Sequence, residues 1–148
     1  SLLDNLTGLE WAKNGIIGFK STPNGAPIAQ PNYANQDRNL NRFGNWSNVN
    51  AAISNMNVAN IKLCGQSDWR LPTETELLSL VNYSAPYGDV AAWLITEGFI
   101  NIQGFEYWSI TLKSNSSSVW VVNMVDGSIV FAINTGGEAH YILPVRSR

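Results

Sequence analysis

The stretch Ser67-Asp68-Trp69-Arg70-Leu71-Pro72-Thr73-Glu74-Thr75-Glu76-Leu77-Leu78-Ser79-Leu80-Val81 decides how the chain is read. Thr73 stands at a helix start with Glu76 three residues on, the spacing of a capping box. The Thr73 hydroxyl is placed to accept from the backbone N–H of Glu76, while the Glu76 carboxylate reaches back to the N–H of Thr73. Two donors that a helix start leaves orphaned are thereby satisfied. Leu77, Leu78, Leu80 and Val81 then supply the side that must be buried.

Upstream, Val49, Ala52, Ile53, Met56 and Ile61 fall near the i, i+3, i+4, i+7 spacing of an amphipathic helix. The pattern predicts a helix over residues 46–63, capped by Ser47 and ended by Gly65. Residues 21–45, with Pro23, Pro27, Pro31 and many Asn, keep no regular period and read as a long loop. Loops of that length in a compact domain tend to carry function. At the start of the chain, residues 6–13 read as a strand with Leu9 and Trp11 on one face, entered through the turn-prone Asp4-Asn5 pair.

Downstream, residues 89–97 predict a short helix carrying Trp93 and Leu94 and stopped by Gly98, and residues 105–112 a strand with Tyr107 and Trp108. Residues 119–125 and 128–133 are apolar, β-branched runs on either side of Asp126-Gly127, a strong hairpin signal. After the turn Asn134-Thr135-Gly136-Gly137, residues 139–145 supply a last strand. With no internal repeat and no linker, residues 1–148 read as a single α+β domain: two main helices packed on a mostly antiparallel sheet, with long loops.

Composition narrows the function. The chain of 148 residues is 45% apolar, enough for a hydrophobic core, yet only 14% charged against roughly 25% in an average soluble domain. Asn, Ser and Thr take the place of charge, a surface common in extracellular proteins and suited to neutral polar partners such as sugars. A net charge of −2 with no dense Lys/Arg run argues against duplex nucleic acid as a partner. Cys64 is the sole cysteine, which excludes an intrachain disulfide, a cysteine-based zinc site and a cysteine-pair redox site, and predicts a buried, inert thiol. No apolar run approaches the roughly 20 residues that span a bilayer, so no membrane insertion is expected. The chain opens at Ser1 as though in the middle of a protein, so the lack of a signal peptide or stalk within it decides nothing.

Four landmarks occur in order: Asp4-Asn5-Leu6-Thr7-Gly8-Leu9-Glu10-Trp11-Ala12-Lys13, Ser67-Asp68-Trp69-Arg70-Leu71-Pro72-Thr73 before Glu76-Leu77, Tyr107-Trp108-Ser109, and Pro144-Val145-Arg146. Together they resemble the Legionella collagen-like protein C-terminal domain family over essentially the whole chain. The resemblance implies a C-type-lectin-like fold. It also implies a bacterial surface or extracellular location and an adhesin's head domain, trimeric and associated with sulfated glycosaminoglycans. Some relatives carry a cysteine near the terminal Val-Arg segment; here Ser147 follows Arg146. The motif residues themselves read as structural: Trp11, Trp69 and Trp108 as core, Arg70 as a hydrogen-bonding group near the helix start.

The segment Trp69-Arg70-Leu71-Pro72-Thr73-Glu74 also resembles formylglycine-generating oxidases, but those need paired cysteines and Cys64 has no partner. His140, the only histidine, lacks the second His or Cys of a transition-metal site, and no serine sits in a nucleophile elbow. Calcium-dependent sugar binding is likewise disfavoured, since Gln30-Pro31-Asn32 precedes the first helix and has no acidic cluster beside it. The expectation is a non-catalytic domain with no metal or cofactor. Asn5, Asn45 and Asn115 open glycosylation-type tripeptides that carry no meaning in a bacterial protein.

Sulfate is recognised by charge-assisted hydrogen bonds from Arg and Lys. The candidate ligand-binding residues are therefore Arg38 and Arg42 in the long loop, Lys113 beside the Ser-rich loop, and Arg146 and Arg148 at the end. The ordinary role of isolated surface cations is solubility. A homotrimer alters this, because one or two cations per subunit near a three-fold axis become a cluster. The expected partner is thus a sulfated polysaccharide of host or matrix. The alternative is a protein-binding module contacting its partner through Tyr33, Phe43 and Trp46 of the aromatic, Asn-rich loop.

Overall fold

The computed structural model describes residues 1–15, 19–21, 27–29, 46–58, 62–85, 89–114, 117–133 and 140–148. Among them lie two three-stranded antiparallel sheets, a two-stranded pair and three α-helices, an α+β arrangement. The first sheet joins the chain ends: β1 (Leu2–Leu3) pairs with β2 (Leu9–Trp11), which pairs with β8 (Val145–Ser147). The pair β3 (Phe19–Ser21) and β4 (Pro27–Ala29) is antiparallel, so the stretch expected to be loop from residue 21 onward holds a strand. The second sheet has the order β5 (Glu106–Leu112), β6 (Ser118–Asn123), β7 (Ile129–Ile133).

The helices are α1 (Trp46–Met56), α2 (Glu74–Ser79) and α3 (Val90–Thr96). The capping box of α2 is complete, with Thr73 accepting from Glu76 N–H at 3.1 Å and Glu76 accepting from Thr73 N–H at 2.8 Å. Asp89 caps α3 by accepting from Ala92 N–H, and Gly98, at φ 101°, follows its end. Helix α1 stops earlier than the apolar spacing predicts. Asn57, just beyond it, accepts from Trp69 N–H at 2.8 Å and donates to Trp69 C=O at 2.7 Å, giving the chain a side-chain substitute for a backbone ladder. Gly65, at φ 77°, ends a separate 3-10 turn (Leu63–Gly65), and Ser47 lies inside α1 instead of capping it.

Strand boundaries moved for similar reasons. Residues 4–7 form a turn in which the Asp4 carboxylate accepts from Leu6 N–H at 2.9 Å and from the Thr7 hydroxyl at 2.5 Å, so β2 begins only at Leu9. At the other end Tyr141 makes one isolated bridge to Tyr107, and the strand proper is β8, nearer the terminus than residues 139–145. The predicted turn at residues 134–137 lies outside the described residues. The β6–β7 hairpin forms as Asp126-Gly127 predicts, closed by Asn123 N–H donating to Ser128 C=O, with Gly127 at φ 74°.

Side chains alternate across a strand, so Tyr107 and Trp108 point to opposite faces, yet each is fully buried. Tyr107 and Val122 pack with Leu77 and Leu80 of α2 and Leu94 of α3; Trp108, Val119 and Val121 pack with Val49 and Ala52 of α1. Ser109 is buried too, where β5 loses register, and its hydroxyl donates to Trp120 C=O at 2.7 Å and accepts from Thr111 N–H at 3.1 Å. Towards the far end of the hairpins, Ile110, Leu112 and Phe131 are 47, 59 and 54% exposed.

The segment 68–73 ties the two sheets together. Arg70 and Val145 exchange backbone hydrogen bonds at 2.9 Å on one side, and Ile110 N–H donates to Pro72 C=O at 2.8 Å on the other. Glu74 N–H, in the first turn of α2, donates to the Thr111 hydroxyl at 2.9 Å. This stretch therefore acts as the joint of the fold.

Candidate functional site

The basic residues singled out in the sequence fall in different settings. Arg38 and Arg42 lie outside the described residues, as do Gln30-Pro31-Asn32, Tyr33 and Phe43. Lys113 follows β5, and its Nζ stands 3.7 Å above the ring of Phe131 on β7, a cation–π geometry. Arg148 is exposed at the C-terminus.

Arg146, on β8, has the most built surroundings. Its register neighbour across the first sheet is Glu10, and its guanidinium donates both to the Glu10 carboxylate and to Asp68 at 2.7 Å. Only 13% of the Arg146 side chain is exposed. Hydrogen bonds from the Ser1 hydroxyl and from Arg146 hold the Glu10 carboxyl below the ordinary glutamate range, and the bond from Arg146 holds Asp68 low in the same way. The cation thus has its charge matched by two ionised carboxylates. An incoming sulfate would have to displace one of them.

Arg70 takes the structural role expected of it. It forms a fork with both oxygens of Glu76 at 2.8 Å, and also donates to Leu71 C=O at 3.1 Å. That bond with Arg70 is the main reason the Glu76 carboxyl sits below its ordinary value, against the opposing effect of burial. Glu76 therefore serves the cap and the ion pair at once.

Two expectations about reactive groups resolve differently. His140 is buried, with Nδ1 3.5 Å from a Glu106 carboxylate oxygen and its ring edge-on to Trp108 at 4.8 Å, a position within the core. Cys64, expected to be buried, is exposed, because it lies at φ 52° in the short turn after α1 and not in a helix packed on the sheet. The described residues hold no group of three or more His, Cys, Asp or Glu placed to hold a metal ion. Among them no helix is long and apolar enough to cross a membrane.

Sequence reasoning did not find the Glu10–Arg146–Asp68 group. Its members are separated by 136 and 78 positions, and only the antiparallel register of β2 with β8 brings them together. The Arg70–Glu76 fork was nearer to hand, since Glu76 was already marked by its cap.

The class defined by these features is a small α+β domain in which β2 pairs with β8, with three core clusters among the described residues, each holding a buried tryptophan (Trp11, Trp108 and Trp69), and an arginine, Arg146, matched by carboxylates. The family model for the Lcl C-terminal domain matches residues 1–146, and the chain belongs to that family. The family name connects it with collagen-like proteins, and membership suggests a surface-associated domain. No curated protein matches the chain.

Proposed function

We propose that this domain is the head of an adhesin displayed on a bacterial surface or released outside the cell, binding sulfated polysaccharide of host or matrix without catalysis. Membership of the Lcl C-terminal domain family over residues 1–146 is the observation that carries this reading. The scaffold is C-type-lectin-like in this proposal, a reading supported by the antiparallel sheet in which β2, near the start, pairs with both β1 and the last strand β8, and by a strand-rich second half.

Sulfate oxygens accept hydrogen bonds from cations, and Arg38, Arg42, Lys113 and Arg148 are the residues proposed to supply them. Arg146 is matched by Glu10 and Asp68, so its part is chiefly to hold the terminal sheet from which Arg148 extends. A net charge of −2 per chain makes a single subunit a poor polyanion receptor; a homotrimer that gathers these cations overcomes this by multivalency.

The test is passage over immobilised heparin in a salt gradient with light scattering on the same sample. Retention of a trimer that salt reverses supports the proposal, because contacts between exposed charges weaken as ionic strength rises. Flow-through of a monomer at low salt overturns it.

A second reading, a protein-binding or assembly module without glycan affinity, is favoured by the exposed apolar groups Ile110, Leu112 and Phe131 on the second sheet. Such a contact is comparatively insensitive to salt, so the same gradient separates the two readings.

A further inference from the structure

In the second sheet β6 lies at the centre, and the two strands beside it are treated differently. The outer side of β5 is covered, because Trp108 N–H donates to Tyr141 C=O, Tyr141 N–H to Glu106 C=O and Ile110 N–H to Pro72 C=O. The backbone of β7 bonds to β6 and to no other described residue. Which of its groups face outward follows from the ladder. Odd-numbered residues of the β6 hairpin arm bond towards β7, since Asn123 N–H donates to Ser128 C=O. Even-numbered ones bond towards β5, since Met124 N–H donates to Phe105 C=O and Ser118 C=O accepts from Lys113 N–H. By register Val130 and Ala132 therefore turn their backbone groups to β6, while Ile129, Phe131 and Ile133 turn theirs outward.

Soluble proteins ordinarily blunt such an edge with charge, proline or a bulge. The strand Ile129-Val130-Phe131-Ala132-Ile133 carries no charge and no proline, and its register with β6 is unbroken. Ile129, Val130 and Phe131 are consecutive and all exposed, so both faces of the strand offer apolar side chains at the edge. Phe131 is held in place by the edge-on ring of Trp120 at 6.3 Å and by Lys113 above it. Donors and acceptors repeating along an extended, apolar backbone are matched by another strand.

The same edge on a second copy meets that requirement. Laid antiparallel about a twofold axis at Phe131, each outward N–H meets an outward C=O, with Phe131 facing its counterpart and Ile129 facing Ile133 of the second copy. The twofold also sets unlike charges side by side. Lys113 marks the Ile133 end of the edge, because its N–H donates to Ser118, the register partner of Ile133. Asp126, in the turn before Ile129, marks the other end, and hydrogen bonds from Ser128 hold its carboxyl below the ordinary aspartate range. Reversal brings the Lys113 end of each copy against the Asp126 end of the other.

We propose that β7 pairs antiparallel with β7 of a second copy of this chain, joining their two sheets into one. The inference rests on the assembly reading above, to which it gives a partner, and uses no part of the polysaccharide reading.

The test is light scattering with amide hydrogen exchange on the 148-residue chain, from about 10 μM to about 1 mM in roughly 0.15 M salt. The mass should double with a dissociation constant on the order of 100 μM, as suits a small interface. Over the same range the amides of Ile129 and Phe131 should gain protection, while those of Val130 and Ala132, already bonded to β6, change little. Phe131→Lys sets two ammonium groups face to face at the axis and should weaken pairing about tenfold or more. Ile129→Pro, at the first residue of the strand, removes an outward N–H and no ladder bond and should weaken it about fivefold. Retained protection of Val121 and Val122 in both variants shows that the sheet is still folded. Leu112→Ser, on β5, should associate as the parent chain does. The proposal is overturned if the mass stays constant over this range, and heparin retention then still decides the polysaccharide reading. It is equally overturned if Ile129 and Phe131 exchange at rates independent of concentration. If Leu112→Ser abolishes association and the two β7 variants do not, edge pairing is wrong while the assembly reading survives on the face of the sheet.

Discussion

The two three-stranded sheets are held in different ways. Strands β5, β6 and β7 follow one another through short connections and are stabilised by apolar side chains, including Trp108, Val119 and Val121. Strands β1, β2 and β8 bring together residues from opposite ends of the chain, and beside the buried Trp11 and Val145 they carry an ion group of Glu10, Arg146 and Asp68. A hairpin closes a short loop before its contacts form, whereas pairing the termini closes nearly the whole chain. The hairpin sheet is thus the natural early scaffold, and the terminal sheet the late closure that depends on it.

The most severe break in this contrast is Trp108→Ala. Trp108 is fully buried between β5 and α1, and truncating such a ring costs roughly 3–5 kcal/mol. Urea denaturation should show the whole domain lost or nearly so, both sheets together. If the terminal sheet survives alone, the dependence stated above is wrong.

Gly127→Ala should cost about 1–3 kcal/mol, since φ 74° disfavours a side chain and an added Cβ would meet Val81 Cγ1 at 2.5 Å. The same denaturation series measures it, and an unchanged midpoint would mean that the 123–128 turn has room to relax.

Glu76→Ala removes the reciprocal cap and the Arg70 fork and is expected to cost about 1–2 kcal/mol. Because the folded Glu76 pKa lies below its ordinary value of 4.5, its contribution is present above that value and is lost as pH falls through the lower folded value. Comparing urea midpoints at pH 6 and pH 3 should therefore show a smaller acid-induced drop in Glu76→Gln than in the parent chain. Equal drops would place the acid sensitivity elsewhere.

Arg146→Gln should have the smallest global effect and the most local one. Amides of β2 and β8 should exchange faster while those of Val121 and Val122 in β6 keep their protection. Uniform loss of protection would show that the terminal sheet is not a separable unit.

The same contrast governs what was legible beforehand. The α2 cap, the α3 helix and the β6–β7 hairpin depend on residues within a few positions of one another, and each formed where expected. The end of α1 did not, because it was set by Asn57 reaching the backbone of Trp69, twelve positions away, which helical periodicity does not report. The first and last strands were displaced for a like reason: the Asp4 turn consumed residues that looked extended, and β8 formed where β2 could receive it. Among the candidate cations, Lys113 and Arg146 were identified by type, but whether their charge meets a ring or a carboxylate depended on strands distant in sequence.

By itself the sequence determined the α+β class, the membership of a family through four ordered motifs, and the tryptophans of the core, because these follow from local hydrogen bonding and from which side chains leave water. Only the tertiary structure decided that Arg146 is neutralised and that Cys64 is exposed. Those facts depend on distances between residues far apart along the chain, and such distances exist only once the two sheets and their helices have packed.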